Sequence, residues 1–222
     1  MAEKEHDGIF REIDEELRQE HYAKLWTSYG SYIIGAALVL VISVAGYKGW
    51  QSYDLTSRQA DSEKFAIALR LSQDKKSDQA GQAFLDLTAK AGSGYAMLAK
   101  FQDAALLAES GKNAAAAAAY GALAGDSSID AVYRDLALLL GVMNEMNAGN
   151  GGDKKEWARR LAPLTADNNP WRFTAREMTA VLAYTAGDTV RARELYSALS
   201  SDAFAPQSLR TRSQEMLAAL ES

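Results

Sequence analysis

The chain has no cysteine among its 222 residues. That excludes a disulfide framework and thiolate chemistry, and leaves the redox compartment open. It has only two histidines, His6 and His21, both near the start. The 172 residues that follow Trp50 therefore hold neither His nor Cys. Most zinc sites and the usual nucleophile–histidine pairs cannot be assembled there. Proline occurs three times, at 163, 170 and 206. No alternating Val/Ile/Thr pattern marks strands, and apolar residues recur at helical spacing, so the class expected is all-α. A basic block is missing as well. Residues 51–222 carry 19 basic and 21 acidic side chains, which argues against nucleic acid and against a polybasic lipid-binding surface.

Catalytic patterns are scarce. Gly149-Asn150-Gly151-Gly152 lacks the Lys-Ser/Thr that follows a phosphate-binding loop and reads as a flexible connection. Ser72, Lys75, Lys76 and Ser77 stand close enough for a Ser/Lys dyad, but in a polar turn such residues serve solubility. Asp153 and Glu156 are explained by helix capping. No catalytic residue, cofactor or metal is expected, and an envelope enzyme acting on peptidoglycan or peptides is set aside.

What the chain does have is a run of 23 uncharged residues, 25–47, bracketed by Lys24 and Lys48. As a helix it would be about 34 Å long, against a hydrocarbon core of about 30 Å. Trp26, Tyr29 and Tyr32 lie at one end and Tyr47, Trp50 and Tyr53 at the other, where an aromatic belt belongs. One membrane span over 25–50 is expected. The preceding segment is long and acidic, with four basic and eight acidic residues in 1–28, and the apolar run exceeds a signal peptide's. Cleavage after Ser43-Val44-Ala45 is therefore not expected. Lys/Arg counts on the two sides are similar, so they do not set the direction of insertion. A short charged tail before a signal anchor ordinarily stays cytoplasmic. Ser31 and Gly35 form a small-x-x-x-small pair suited to helix packing. Ile9, Phe10, Ile13 and Leu17 give the tail, 1–24, an apolar face: a docking helix, or a solvated helix that continues into the span.

Residues 51–222 hide a repeat. Ala80-Phe84-Leu87, Ala116-Tyr120-Leu123 and Ala192-Tyr196-Leu199 share one spacing, and Trp157-Leu161-Leu164 is a degenerate copy. The copies start at 80, 116, 157 and 192, in steps of 36, 41 and 35. Gly111, Gly152 and Gly187 stand five residues before three of them. The pattern describes a helical hairpin in which glycine permits the turn, alanine lets backbones approach, and the aromatic fills the space between hairpins. Asn113 and Asp188 are candidate caps, Asp153 with Glu156 a candidate capping box, and Asn169-Pro170 a helix start. The step of 41 is absorbed by 147–152. Pro206 opens a last helix ending near Leu220, a terminal cap. The architecture expected is a single transmembrane helix, then an α-solenoid of about four hairpins with a capping helix.

The glycine-alanine-aromatic spacing resembles the tetratricopeptide repeat. At the front, Ile9-Phe10-Arg11-Glu12-Ile13-Asp14-Glu15-Glu16-Leu17-Arg18, Lys24-Leu25-Trp26, Tyr29-Gly30 and Ala45-Gly46-Tyr47-Lys48-Gly49-Trp50 resemble the YfgM-like family, as does Gly94-Tyr95-Ala96-Met97-Leu98-Ala99-Lys100-Phe101. The likeness covers essentially the whole chain and is strongest at 9–50 and 92–124. Members are bacterial inner-membrane proteins with one span and a divergent tetratricopeptide-like domain in the periplasm. The resemblance implies an ancillary subunit of the SecYEG translocon that works with a membrane-anchored periplasmic chaperone on newly translocated chains, with unfolded clients as further partners. The acidic tail and the 147–152 insertion are departures from the family pattern. In such hairpins the first helices line a concave face that holds peptides. Carrying the register back from Gly111 selects Phe101, Ala105 and Glu109; from Gly187 it selects Glu177, Val181 and Tyr184. Each has packing between hairpins as its alternative, Phe101 above all. A scaffold that coordinates envelope or division machinery without touching clients is the competing function.

Overall fold

The computed structural model describes the backbone of residues 3–149 and 151–221, and the side chains of those from residue 23 on. All regular structure among them is helical: α1 (Glu3–Gln73), α2 (Ser77–Lys90), α3 (Ser93–Glu109), α4 (Asn113–Gly125), α5 (Ala131–Asn147), α6 (Lys154–Leu161), a 3₁₀ turn (Ala162–Thr165), α7 (Arg172–Thr185), α8 (Thr189–Ser201) and α9 (Gln207–Glu221). The chain forms two compact units, Met1–Gln59 and Ala60–Ser222.

The first unit is one continuous helix. The apolar face expected from Ile9, Phe10, Ile13 and Leu17 lies outside the described side chains. From Leu25 on, the large apolar side chains are bare: Ile33, Leu38, Val41 and Ile42 are 53–68% exposed, and the flanking aromatics 57–75%. Only 6% of the most apolar window is buried within the protein. A core helix of a soluble domain would be covered, so the burial removes that reading. The helix is long and apolar enough to cross a membrane.

The second unit is a stack of hairpins: the end of α1 with α2, α3 with α4, α5 with α6, and α7 with α8, closed by α9. All twelve residues of the four repeat copies are buried, from Ala80 and Phe84 at 0% to Trp157 at 9%. Apolar clusters pass from each hairpin to the next, as Phe65, Phe84 and Ala99, or Tyr196, Leu199 and Leu209, illustrate. No hairpin has a core of its own, which is the physics of a solenoid.

Three turns share one backbone device. Gly111 and Gly187 have φ of +73° and +82°. Each carries the paired bonds of a Schellman motif, Gly111 N–H to Ala108 O with Lys112 N–H to Leu107 O, and Gly187 N–H to Tyr184 O with Asp188 N–H to Ala183 O. In the first hairpin Lys75 occupies the same place at φ +59°, with Lys76 N–H to Leu71 O. Gly152 departs from the expected role. The left-handed residues of that loop are Gly149 and Gly151. Gly152 is small for another reason: a Cβ there would lie 2.3 Å from the Trp157 ring. Gly141 is a milder contact, its added Cβ meeting Tyr120 Cβ at 3.5 Å. The two sites therefore respond oppositely to alanine. Gly152→Ala should cost about 1–3 kcal/mol through overpacking, whereas Gly141→Ala should add about 0.5–1 kcal/mol by helix propensity. Thermal melts of the two variants check the sign.

The caps divide. Asp188 accepts from Arg191 N–H at 3.0 Å, and Asp153 from Lys155 N–H at 2.9 Å, both as expected. The capping box fails, because Glu156 turns to the Arg159 guanidinium instead. Asn113 does not cap its own helix; its amide donates to Asn147 O on α5. Asn169 accepts from Trp171 N–H, and Pro170 precedes the helix, which begins at Arg172. The sequence does not display the long-range links. Asn113 to Asn147 O, Lys154 to Thr185 O and Arg193 to Leu220 O each tie a second helix to the end of the next first helix. They satisfy carbonyls that helix termini leave open. Buried Asp61 does the reverse, accepting from Gly92 N–H at the start of α3 at 2.9 Å.

Hairpins 2 and 4 superpose in sequence at one offset, 192 minus 116, or 76 residues. It pairs Ala99 with Ala175, Ala104 with Ala180 and Ala137 with Ser213, all fully buried. It also pairs the ion pairs Lys100–Asp126 and Arg176–Asp202, each 3.7 Å. Ser213 Oγ has no hydrogen-bond partner, and the equivalent hairpin accepts alanine there. Ser213→Ala should therefore raise stability by about 1 kcal/mol, the cost of an orphaned hydroxyl. An unchanged or lower melting temperature would count against it.

Candidate functional site

The first helices α3 and α7 carry the six residues singled out as peptide-contacting. The offset of 76 pairs Phe101 with Glu177 and Ala105 with Val181, so these four occupy equivalent positions; Glu109 pairs with Thr185 rather than Tyr184. Ala105 and Val181 are half-buried, Glu109 and Tyr184 exposed. Phe101 is half-buried against Tyr120, ring centroids 6.0 Å apart. Glu177 is clasped by Arg212 of α9 through two bonds of 2.9 Å.

Two buried tyrosines bring most of these residues together. Burial raises the Tyr120 phenol above its usual range, and the Glu109 carboxylate adds to the rise. Tyr196 behaves likewise, raised first by burial, then by Glu177 and Tyr184. Phe101 and Glu109 thus neighbour one phenol, Glu177 and Tyr184 the other. Neither phenol ionises near neutral pH, so each remains a neutral polar tip on an apolar body, buried among the helices. The sequence marked both tyrosines as core and missed their tips. It also missed Arg212, whose equivalent on α5 is Leu136. At the last joint an ion pair links hairpin 4 to α9; between α3 and α5 the equivalent positions are Phe101 and Leu136.

Asp103 lies half-buried on α3, its carboxylate beside Gly81 of α2. Burial pushes its pKa up from the ordinary 3.8. The folded state thus holds the proton more tightly than the unfolded state. Stability is lost as pH rises from the ordinary value through the raised one. Asp103→Asn should raise the melting temperature at pH 7, with the gain vanishing below about pH 4. A gain that persists in acid would overturn this account.

Among the described residues no cluster of three or more His, Cys, Asp or Glu is placed to hold a metal. A stack of helical hairpins is the architecture of a solenoid repeat, a class that binds proteins through its surface. A family model described as Tetratricopeptide repeat-like domain matches residues 23–198, and the chain belongs to that family. No curated protein matches the sequence significantly. Repeats of this kind serve protein–protein interaction and are typically not enzymes.

Proposed function

We propose that the chain is a membrane-tethered interaction module of the bacterial inner membrane. It associates with the SecYEG translocon and a membrane-anchored periplasmic chaperone, and assists the folding or handover of newly translocated proteins. Residues 1–24 lie in the cytoplasm, 25–50 in the bilayer and 51–222 in the periplasm. The observation that carries this reading is that one family match, from residue 23 to 198, takes in both the bare apolar helix and the hairpins. A tether and a binding surface in one chain suit work at a membrane exit. The resemblance at 9–50 and 92–124 supplies the translocon. Phe101, Ala105, Glu109, Glu177, Val181 and Tyr184 are proposed to meet partner or client chains.

Gentle detergent extraction of the tagged full chain from its own membrane tests this. Near-stoichiometric recovery of the Sec channel and a periplasmic chaperone is expected. Recovery of division or peptidoglycan machinery alone would replace the proposal with the scaffold reading. Recovery of neither would refute the translocon assignment.

A further inference from the structure

Between α6 and α8 lies a cavity of about 420 Å³. Ala162, Leu195 and Ala198 make its apolar wall, and the guanidiniums of Arg176 and Arg191 stand at it. Asp202 also lines it, and two residues further on is Phe204, 85% exposed. The turn that displays Phe204 is tied through Asp202. Phe204 N–H donates to the Asp202 carboxylate at 2.8 Å, and the same carboxylate pairs with Arg176. An aromatic knob is thus presented on a fixed turn beside a hole.

The fold requires neither feature. At the offset of 76, Phe204 corresponds to Ser128, whose N–H makes the same bond to Asp126 at 3.0 Å. Arg191 and Leu195 correspond to Ala115 and Ala119. Phe204, Arg191 and Leu195 therefore occur together in hairpin 4, where hairpin 2 has Ser128, Ala115 and Ala119. We propose that Phe204 of one copy seats in the α6–α8 cavity of a second copy, and the second copy's Phe204 in the first. Adjacent knob and hole on one patch satisfy the self-complementarity of a two-fold contact. The apolar wall of Ala162, Leu195 and Ala198 is what an aromatic occupant would meet, since Arg191 is paired with Glu194 and Arg176 with Asp167 and Asp202.

Each ring brings about 150–250 Å². Two reciprocal insertions therefore fall short of the roughly 1,200 Å² of a stable soluble complex. Pairing depends on confinement to one bilayer, which raises effective concentration; that dependence rests on the membrane reading. Phe204→p-benzoylphenylalanine in the full chain, irradiated in native membranes, tests it. The expected result is a product of twice the chain's mass, cross-linked within residues 158–202. Ala198→Trp, on the exposed side of α8, should lower that product at least tenfold without changing the thermal melt. No product at that mass, a product with another protein, or one that survives Ala198→Trp would overturn the proposal. Sedimentation of the same membranes reports separately whether the chain is bilayer-bound.

Discussion

Trp157→Ala is expected to destabilise the hairpin domain by about 3–5 kcal/mol. Trp157 is the largest side chain of the cluster that joins α5, α6 and α7, packed with Leu139, Val142, Leu161, Leu164 and Met178. Its indole N–H donates to Glu145, which also holds Arg160 at 2.8 Å. Truncation opens a void beside an existing groove of about 570 Å³ walled by Ala114, Ala117, Ala118 and Gly121 of α4. It also strips Glu145 of one donor. Hairpin 3 has little to fall back on, since α6 is eight residues long. A loss of this size should lower the melting temperature by roughly 6–20 °C for a domain of this length. Circular-dichroism melts of the full chain in detergent would measure it. Trp157→Phe, which keeps most of the ring but not the N–H, should lose less than half as much. A Trp157→Ala melt within 2 °C of the parent would show that hairpin 3 is not held by this residue.

The second large effect concerns the long apolar helix, proposed above as the membrane span. Leu38→Arg combined with Ile42→Arg places two charges one turn apart in the uncharged run. Each arginine costs about 2.5–3.5 kcal/mol at the centre of an inserting helix, and two lost aliphatic residues add about 1. The total, about 6–8 kcal/mol, should move the chain from the alkali-resistant membrane pellet to the soluble or degraded fraction. Both positions are exposed within the protein, so the hairpin domain should keep its thermal melt. If the doubly charged chain stayed in the pellet, residues 25–50 would not be what holds it there.

Much of this architecture is legible in the sequence. Helix formation is local, and the alanine–aromatic–leucine spacing is a direct image of which side of a helix faces its neighbour. All four copies were buried for that reason. Gly111 and Gly187 were legible because a left-handed residue in a tight turn leaves few alternatives. Gly152 was misread because its smallness answers to the Trp157 ring, a neighbour that spacing alone does not reveal. Asn113 was misread because its partner, Asn147 O, lies a hairpin away.

By itself, then, the sequence determined the long apolar helix, the all-helical class, the number of hairpins and the turns at Gly111 and Gly187. These rest on periods of a few residues and on composition. Only the tertiary structure decided that Arg212 clasps Glu177, that Asp61 caps α3, that the Tyr120 and Tyr196 tips neighbour the proposed contact residues, and that Phe204 stands beside a cavity. The physical reason is the same in each case. Such contacts join residues on different helices, as far as 35 positions apart for Arg212 and Glu177, where the twist and spacing of the stack, not the local period, decide which side chains meet.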